Sequence, residues 1–191
     1  MPIDQRTPGR LEVIQGCMFS GKSERLIARL REAQRSGLRV RAFKHVIDDR
    51  YDADHLITHT QDRFEACRAA DASAIERGAS DADVIGIDEA HFFGAALVDV
   101  VRRLLASGRR VIVVGIDHNA WGLPFEPMPT LASMADEVVQ ASAPCRVCGA
   151  PAAYSQRMVP VMSDCMVGGA ESYEPRCAAH FQPLPGTPES A

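Results

Sequence analysis

Leu11-Glu12-Val13-Ile14-Gln15-Gly16-Cys17-Met18-Phe19-Ser20-Gly21-Lys22-Ser23 runs from an apolar strand pattern into a glycine-bounded turn that closes on a lysine and a hydroxyl. Leu26, Ile27, Leu30 and Ala33 follow at helical spacing, so a strand, a loop and a helix stand in that order around G-x-x-x-x-G-K-S. That arrangement is a phosphate-binding P-loop. Glycines let backbone N–H groups converge on phosphate oxygens, Lys22 reaches the β- and γ-phosphates, and the Ser23 hydroxyl can ligate magnesium. The motif gives a nucleotide and leaves the second substrate open.

Working outward, helix one is predicted over Lys22 to Ser36, with Gly37 as its terminator, and a strand over Leu38 to Phe43. Lys44 to Asp62 carries few periodic apolar positions and reads as a functional loop. Val84-Ile85-Gly86-Ile87 and Val111-Ile112-Val113-Val114-Gly115-Ile116 are short continuous apolar runs, the mark of strands buried on both faces, and Val138-Val139 is the centre of another. Between them Leu97, Val101, Leu104 and Leu105 form one helical stripe closed by Gly108. Strands alternating with helices predict an α/β fold with a parallel sheet flanked by helices. Ligands collect at the carboxyl ends of such strands, where Gly16, Asp88 and Asp117 fall. The expected organisation is a short flexible start (1–10), a nucleotide unit (11–142), a small zinc-stapled unit (143–182) and a disordered tail (183–191).

A chain of 191 residues with 46% hydrophobic and 24% charged residues has enough apolar material for one main core plus a small appendage. Its formal net charge of -4 gives no electrostatic reason to propose nucleic acid as a partner. No apolar run approaches the roughly 20 residues that span a bilayer, and residues 1–10 lack the apolar centre of a secretion signal, so a cytoplasmic protein without membrane partners is expected. In that compartment six cysteines should be mostly reduced, and close pairs invite metal before disulfides. Cys145-x-x-Cys148 and Cys177-x-x-His180 supply three thiolates and one imidazole, which fill a tetrahedral zinc and leave no position for water; the zinc is therefore expected to be structural. Of the others, Cys67 is predicted in the core, and Cys17 and Cys165 near ligand.

Asp88 and Glu89 end the second key strand. An aspartate there can organise a magnesium shell, and a neighbouring glutamate can take a proton from the attacking group. For an ATPase that group is water and for a kinase a substrate hydroxyl, and the pair itself does not distinguish the two. A P-loop ATPase with a nucleic-acid-binding zinc ribbon would want clustered cations between Cys145 and His180, where only Arg146, Arg157 and Arg176 stand. A nucleotide-sensing scaffold would have no use for Glu89.

Gly16 to Ser23, Ile85-Gly86-Ile87-Asp88-Glu89-Ala90-His91-Phe92-Phe93, the cysteine pairs and Val167-Gly168-Gly169-Ala170-Glu171-Ser172-Tyr173 together resemble the zinc-containing type II thymidine kinases, over about Leu11 to Phe181. The resemblance implies transfer of the γ-phosphate of ATP to the 5′-hydroxyl of thymidine with magnesium, a homotetramer, and feedback inhibition by dTTP. It makes Glu89 the general base. Gly16, Cys17, Met18, Phe19, Ser20, Gly21, Lys22, Ser23, Asp48, Arg50, Asp88 and His91 then belong to the ATP and magnesium neighbourhood, Asp48 and Arg50 through the D-x-R-Y segment. Around the nucleoside it implies Met18 as floor, Ala120, Ser155, the backbone of Asp164, Cys165, Met166, Val167 and Gly168 on the pyrimidine edge, and Tyr173 beside the sugar and base. Without the resemblance, Arg50 reads as a loop arginine, and Met18 and Tyr173 as core candidates.

Three departures from the family pattern stand out. Cys17 replaces a proline, with little functional cost expected. Ala120-Trp121 replaces an aromatic followed by arginine or glutamine, so the aromatic wall is lost or moved, and deoxyuridine or a bulkier nucleoside becomes an expected alternative substrate. His91 replaces a glutamine and brings a charge that would vary with pH.

Overall fold

The computed structural model describes residues 8–48, 55–57, 63–160 and 168–186. Its centre is a six-stranded, all-parallel sheet in the order β5-β2-β6-β7-β1-β8. The strands are β1 (Arg10–Gly16), β2 (Val40–His45), β5 (Cys67–Ala69), β6 (Val84–Ile87), β7 (Arg110–Gly115) and β8 (Glu137–Ala141). A short hairpin of β3 (His55–Ile57) and β4 (Arg63–Glu65) stands apart from the sheet.

Strand alternation assigns the two faces. Ile14, Val84, Ile112 and Val114 point into one cluster with Leu26, Ile27 and Leu30 of α1 (Lys22–Arg35). Their neighbours Leu11, Val13, Ile85, Ile87, Val111 and Val113 point into the other, with Ile75 of α2 (Ala72–Gly78), Leu97, Val101 and Leu104 of α3 (Ala96–Ala106), and Met128 and Leu131 of α4 (Met128–Ser133). Both faces are covered, which is why the central strands carry continuous apolar runs. A charged side chain is buried in β1: Glu12, 1% exposed, accepts from Arg29 of α1 and, at 2.6 Å, from Arg110 of β7. Paired in this way a buried carboxylate is tolerated.

The structure shifts some of the expected boundaries. Helix α1 stops at Arg35, β2 runs from Val40 to His45 rather than from Leu38 to Phe43, and β7 is Arg110–Gly115. Cys67, expected in the core, is exposed. It opens β5, an edge strand in which only Ala69 turns inward. The segment from 183 does not leave the surface at once, because the Leu184 N–H bonds the Ala120 carbonyl at 3.1 Å.

After β8 the chain makes two small antiparallel ribbons, β9 (Ala143–Pro144) with β10 (Pro151–Ala152), and β11 (Tyr154–Arg157) with β12 (Tyr173–Arg176). Their shared apolar centre is Cys17, Ala143, Cys145 and Ala152, with Cys177 packed against it.

Candidate active site and metal centre

The carboxyl ends of β1, β7 and β6 are adjacent in the sheet, and they bring Gly16, Asp117 and Asp88 to one edge. Gly16 has φ 143, and a Cβ there would lie 2.0 Å from the Ala141 carbonyl oxygen of β8; Gly21, at φ 72, caps α1. Between them Phe19 adopts φ 64, and after β6 Glu89 adopts φ 49, both left-handed conformations that side-chain-bearing residues rarely take. Such backbone collects at functional sites, where surrounding bonds hold it. Here the Glu89 N–H donates to Asp88 Oδ1 at 3.0 Å and the Phe92 N–H to the Glu89 carbonyl at 3.0 Å.

Within the loop, Lys22 Nζ and Ser20 Oγ both donate to the Cys17 carbonyl at 2.7 Å. Burial pulls the Lys22 ammonium below its ordinary value, against the charges of Glu89, Cys17 and Asp88. Asp88 is pushed up to about 7 by burial first and by the charge of Glu89 next, with the Ser23 hydroxyl bond opposing. The charge of Asp48 adds to that upward push. Two crowded carboxylates of this kind suit a cation. Ser23 Oγ and Asp88 Oδ2 are 2.9 Å apart, and the edge of a magnesium octahedron with bonds of about 2.1 Å is about 3.0 Å, so the pair fits a magnesium ion.

The ribbons dock directly on this loop. Met18 N–H donates to Ser155 Oγ at 2.9 Å, and Cys17 Sγ donates to the Ala152 carbonyl at 3.4 Å. Burial raises the Cys17 thiol above its usual value. In β12, Tyr173 is buried and its hydroxyl accepts from Arg157 Nη1 at 2.8 Å, while the guanidinium carbon lies 5.2 Å from the ring centroid. Gly168 is crowded, since a Cβ there would meet Ser172 at 2.6 Å. Ala120 is 6% exposed in the turn after β7. Aromatic surface beside that turn comes from Phe181, stacked on Tyr154 at 4.4 Å and 2.8 Å from where a Gly122 Cβ would lie. Arg50, Asp164, Cys165, Met166 and Val167 lie outside the described residues.

Cys145, Cys148, Cys177 and His180 hold their ligand atoms within 4.8 Å of one another. Cys148 Sγ and Cys177 Sγ are 3.7 Å apart, and His180 Nδ1 is 3.2 Å from Cys177 Sγ and 4.0 Å from Cys145 Sγ. A tetrahedron with zinc–sulfur bonds of about 2.3 Å has sulfur–sulfur edges of about 3.7 Å, so the donor set fits zinc. Burial raises the Cys145 thiol, but bonds from the Cys177, Val147 and Cys148 backbone outweigh it and bring it down to about 6, while against the Ala150 backbone bond, burial and the Cys177 and Cys145 sulfurs raise the Cys148 thiol.

Four residues make contacts that the sequence did not show. Gln140 joins Gln15 (3.1 Å) to Asp117 (2.7 Å) behind the loop. Arg157 orients Tyr173, and Gln156 exchanges bonds with the Gln182 backbone at 2.7 and 2.8 Å. The Cys17 thiol ties the phosphate loop to the ribbons. Only the last carried a signal, a thiol where the family places a proline.

The thymidine kinase family profile matches residues 9–181. A thymidine kinase of Rhodothermus sp. (strain ITI 518) is 46% identical over 175 residues, covering 92% of this chain and 82% of the relative. One of Coprothermobacter proteolyticus is 46% identical over 184 residues, 93% of this chain and 92% of its own. Among solved structures, AMPPCP-bound DnaA from Aquifex aeolicus aligns over 72% of this chain and 41% of its own at TM-score 0.43 and 15% identity, a likeness too low to carry an argument.

Proposed function

Because the chain belongs to the thymidine kinase family and is an enzyme, we propose that it transfers the γ-phosphate of ATP to the 5′-hydroxyl of thymidine, in the cytoplasm and in pyrimidine salvage. The observation that carries this reading is Glu89, fixed in a left-handed conformation at the tip of β6, beside the Ser23–Asp88 pair and the P-loop lysine.

The P-loop N–H groups and Lys22 bind the phosphates, and Lys22 exchanges its bond to the Cys17 carbonyl for phosphate oxygens. Ser23 and Asp88 would hold a magnesium ion, which would supply charge neutralisation to the nucleotide's phosphates. Glu89 accepts the proton of the 5′-hydroxyl as that oxygen attacks the γ-phosphorus in line and the bond to the bridging oxygen breaks, releasing ADP. Asp48 and Arg50 complete the phosphate neighbourhood, where a cation offsets developing charge. Residues 11–142 form the nucleotide unit. Residues 143–182, stapled by zinc, close over the nucleoside, with backbone from Asp164 to Gly168 on the pyrimidine edge, Tyr173 against the sugar and base, Met18 beneath, and Ser155 and Ala120 at the rim. The small Ala120 side chain leaves room for deoxyuridine or a bulkier nucleoside beside thymidine. A homotetramer inhibited by dTTP follows from the same family reading.

Transfer of labelled γ-phosphate from ATP to a panel of nucleosides, for wild type and Glu89→Gln, tests this. The expected result is a thymidine signal, weaker on deoxyuridine, that falls about 10²–10⁴-fold in the variant. Equal labelling of purine and pyrimidine deoxynucleosides would move the assignment to a broad deoxynucleoside kinase.

A further inference from the structure

His91 sits on the one-turn 3-10 segment Ala90–Phe93 that follows Glu89. Its side chain is 3% exposed and packs between Phe92 at 4.2 Å and Phe125 at 5.1 Å. One ring nitrogen, Nδ1, lies 3.4 Å from the Ile116 N–H at the end of β7, and the other, Nε2, lies 3.7 Å from Glu89 Oε2. Gly115 beside it admits the Met128 side chain, since a Cβ there would stand 2.6 Å from Met128 Sδ, and it lies next to the same Nδ1.

We infer that His91 is a positioning residue for Glu89, an inference that rests on Glu89 being the proton acceptor proposed above. A neutral imidazole has one donor and one acceptor nitrogen. A backbone N–H can only donate, so Nδ1 accepts from Ile116 and the ring hydrogen resides on Nε2, facing the carboxylate. In the neutral ring Nε2 is thus the donor toward Glu89. A separation of 3.7 Å is longer than a hydrogen bond, and catalytic bonds of this kind tighten when substrate is bound. The Glu89 backbone is held at both its N–H and its carbonyl, so what remains to be set is the orientation of its side chain. His91 restricts that orientation, and displacement of a reacting group by about 1 Å costs on the order of 10²-fold in rate.

The experiment compares wild type, Glu89→Gln, His91→Leu and His91→Gln by kcat and KM for both substrates, with imidazole ¹⁵N spectra of the full-length protein. His91→Leu is expected to lower kcat about 10- to 100-fold with both KM values within about twofold. His91→Gln, whose amide can accept from Ile116 and donate to Glu89, should restore kcat to within about threefold of wild type. The His91 resonance, assigned by its loss in His91→Gln, should report hydrogen on Nε2 and none on Nδ1. Undiminished kcat in His91→Leu overturns the inference, as does the opposite tautomer or a His91→Gln that is folded but as slow as His91→Leu. If His91→Leu does not fold, the tautomer and His91→Gln decide. A wild type that transfers nothing to thymidine, or an undiminished Glu89→Gln, instead defeats the functional reading and this inference with it.

Discussion

The sheet and the ribbons that follow it hold themselves together by different means. The sheet has a large apolar cluster on each face, the wider one running from Leu11 to Leu131 through five strands and three helices. The ribbons share a centre of four small residues, of which Cys17 is lent by the P-loop and Cys145 is a candidate zinc ligand. Burial of that size cannot offset the chain entropy of ordering some thirty residues, whereas metal ligation can. On the proposed reading the reaction needs both regions in register, because Glu89 stands on one and Ser155 and Tyr173 on the other.

The largest test of this contrast is removal of zinc, by chelation or by Cys177→Ser. A structural zinc contributes on the order of 10 kcal/mol of apparent free energy, so amides of β11 and β12 should lose their hydrogen-exchange protection while those of β1, β6 and β7 keep theirs. Equal loss in β7 would break the contrast. Next is Phe43→Ala, 1% exposed in the sheet core, which should cost about 3–5 kcal/mol in denaturant unfolding at unchanged zinc content.

Asp88→Asn sharpens the comparison by separating stability from function within the sheet. A carboxyl raised from 3.8 to about 7 is accommodated as the neutral acid, so its stabilising contribution is full below pH 3.8 and is lost as pH rises through about 7. The ligand-free variant should therefore melt several degrees above wild type at pH 8, the gap shrinking toward pH 4, while activity is lost. Differential scanning calorimetry across that range reads it. The smallest effect is Ser155→Ala, which leaves the Met18 N–H without its acceptor across the junction. It should cost about 1 kcal/mol and raise the KM for thymidine with little change in zinc content.

Legibility in the sequence follows the same division. Central strands were readable because burial on both faces leaves unbroken apolar runs, and the P-loop because its chemistry fixes residue types. Edge strand β5, with one inward side chain, and helices α2 and α4, of seven and six residues, carry too little periodicity to register. The exposed Cys67 shows the cost of assigning a thiol by type alone. In the site, Asp88, Glu89 and the zinc ligands could be read from spacing. The partners of Tyr173, Asp117 and His91 could not, because each contact joins residues far apart in the chain or depends on which ring nitrogen meets which backbone group.

Gly16 has a consequence for anyone scanning this protein by saturation mutagenesis. A side chain there would collide with the Ala141 carbonyl 2.0 Å away, on a backbone that cannot yield without unzipping β8 from β1. Every replacement should vanish from a selected library, and that depletion would report closure of the sheet rather than contact with a phosphate. At Gly21, where the nearest obstruction is the flexible end of Glu24 at 3.5 Å, asparagine should be the survivor, since it tolerates the left-handed turn. Two glycines of one motif would thus leave different fingerprints in the same screen.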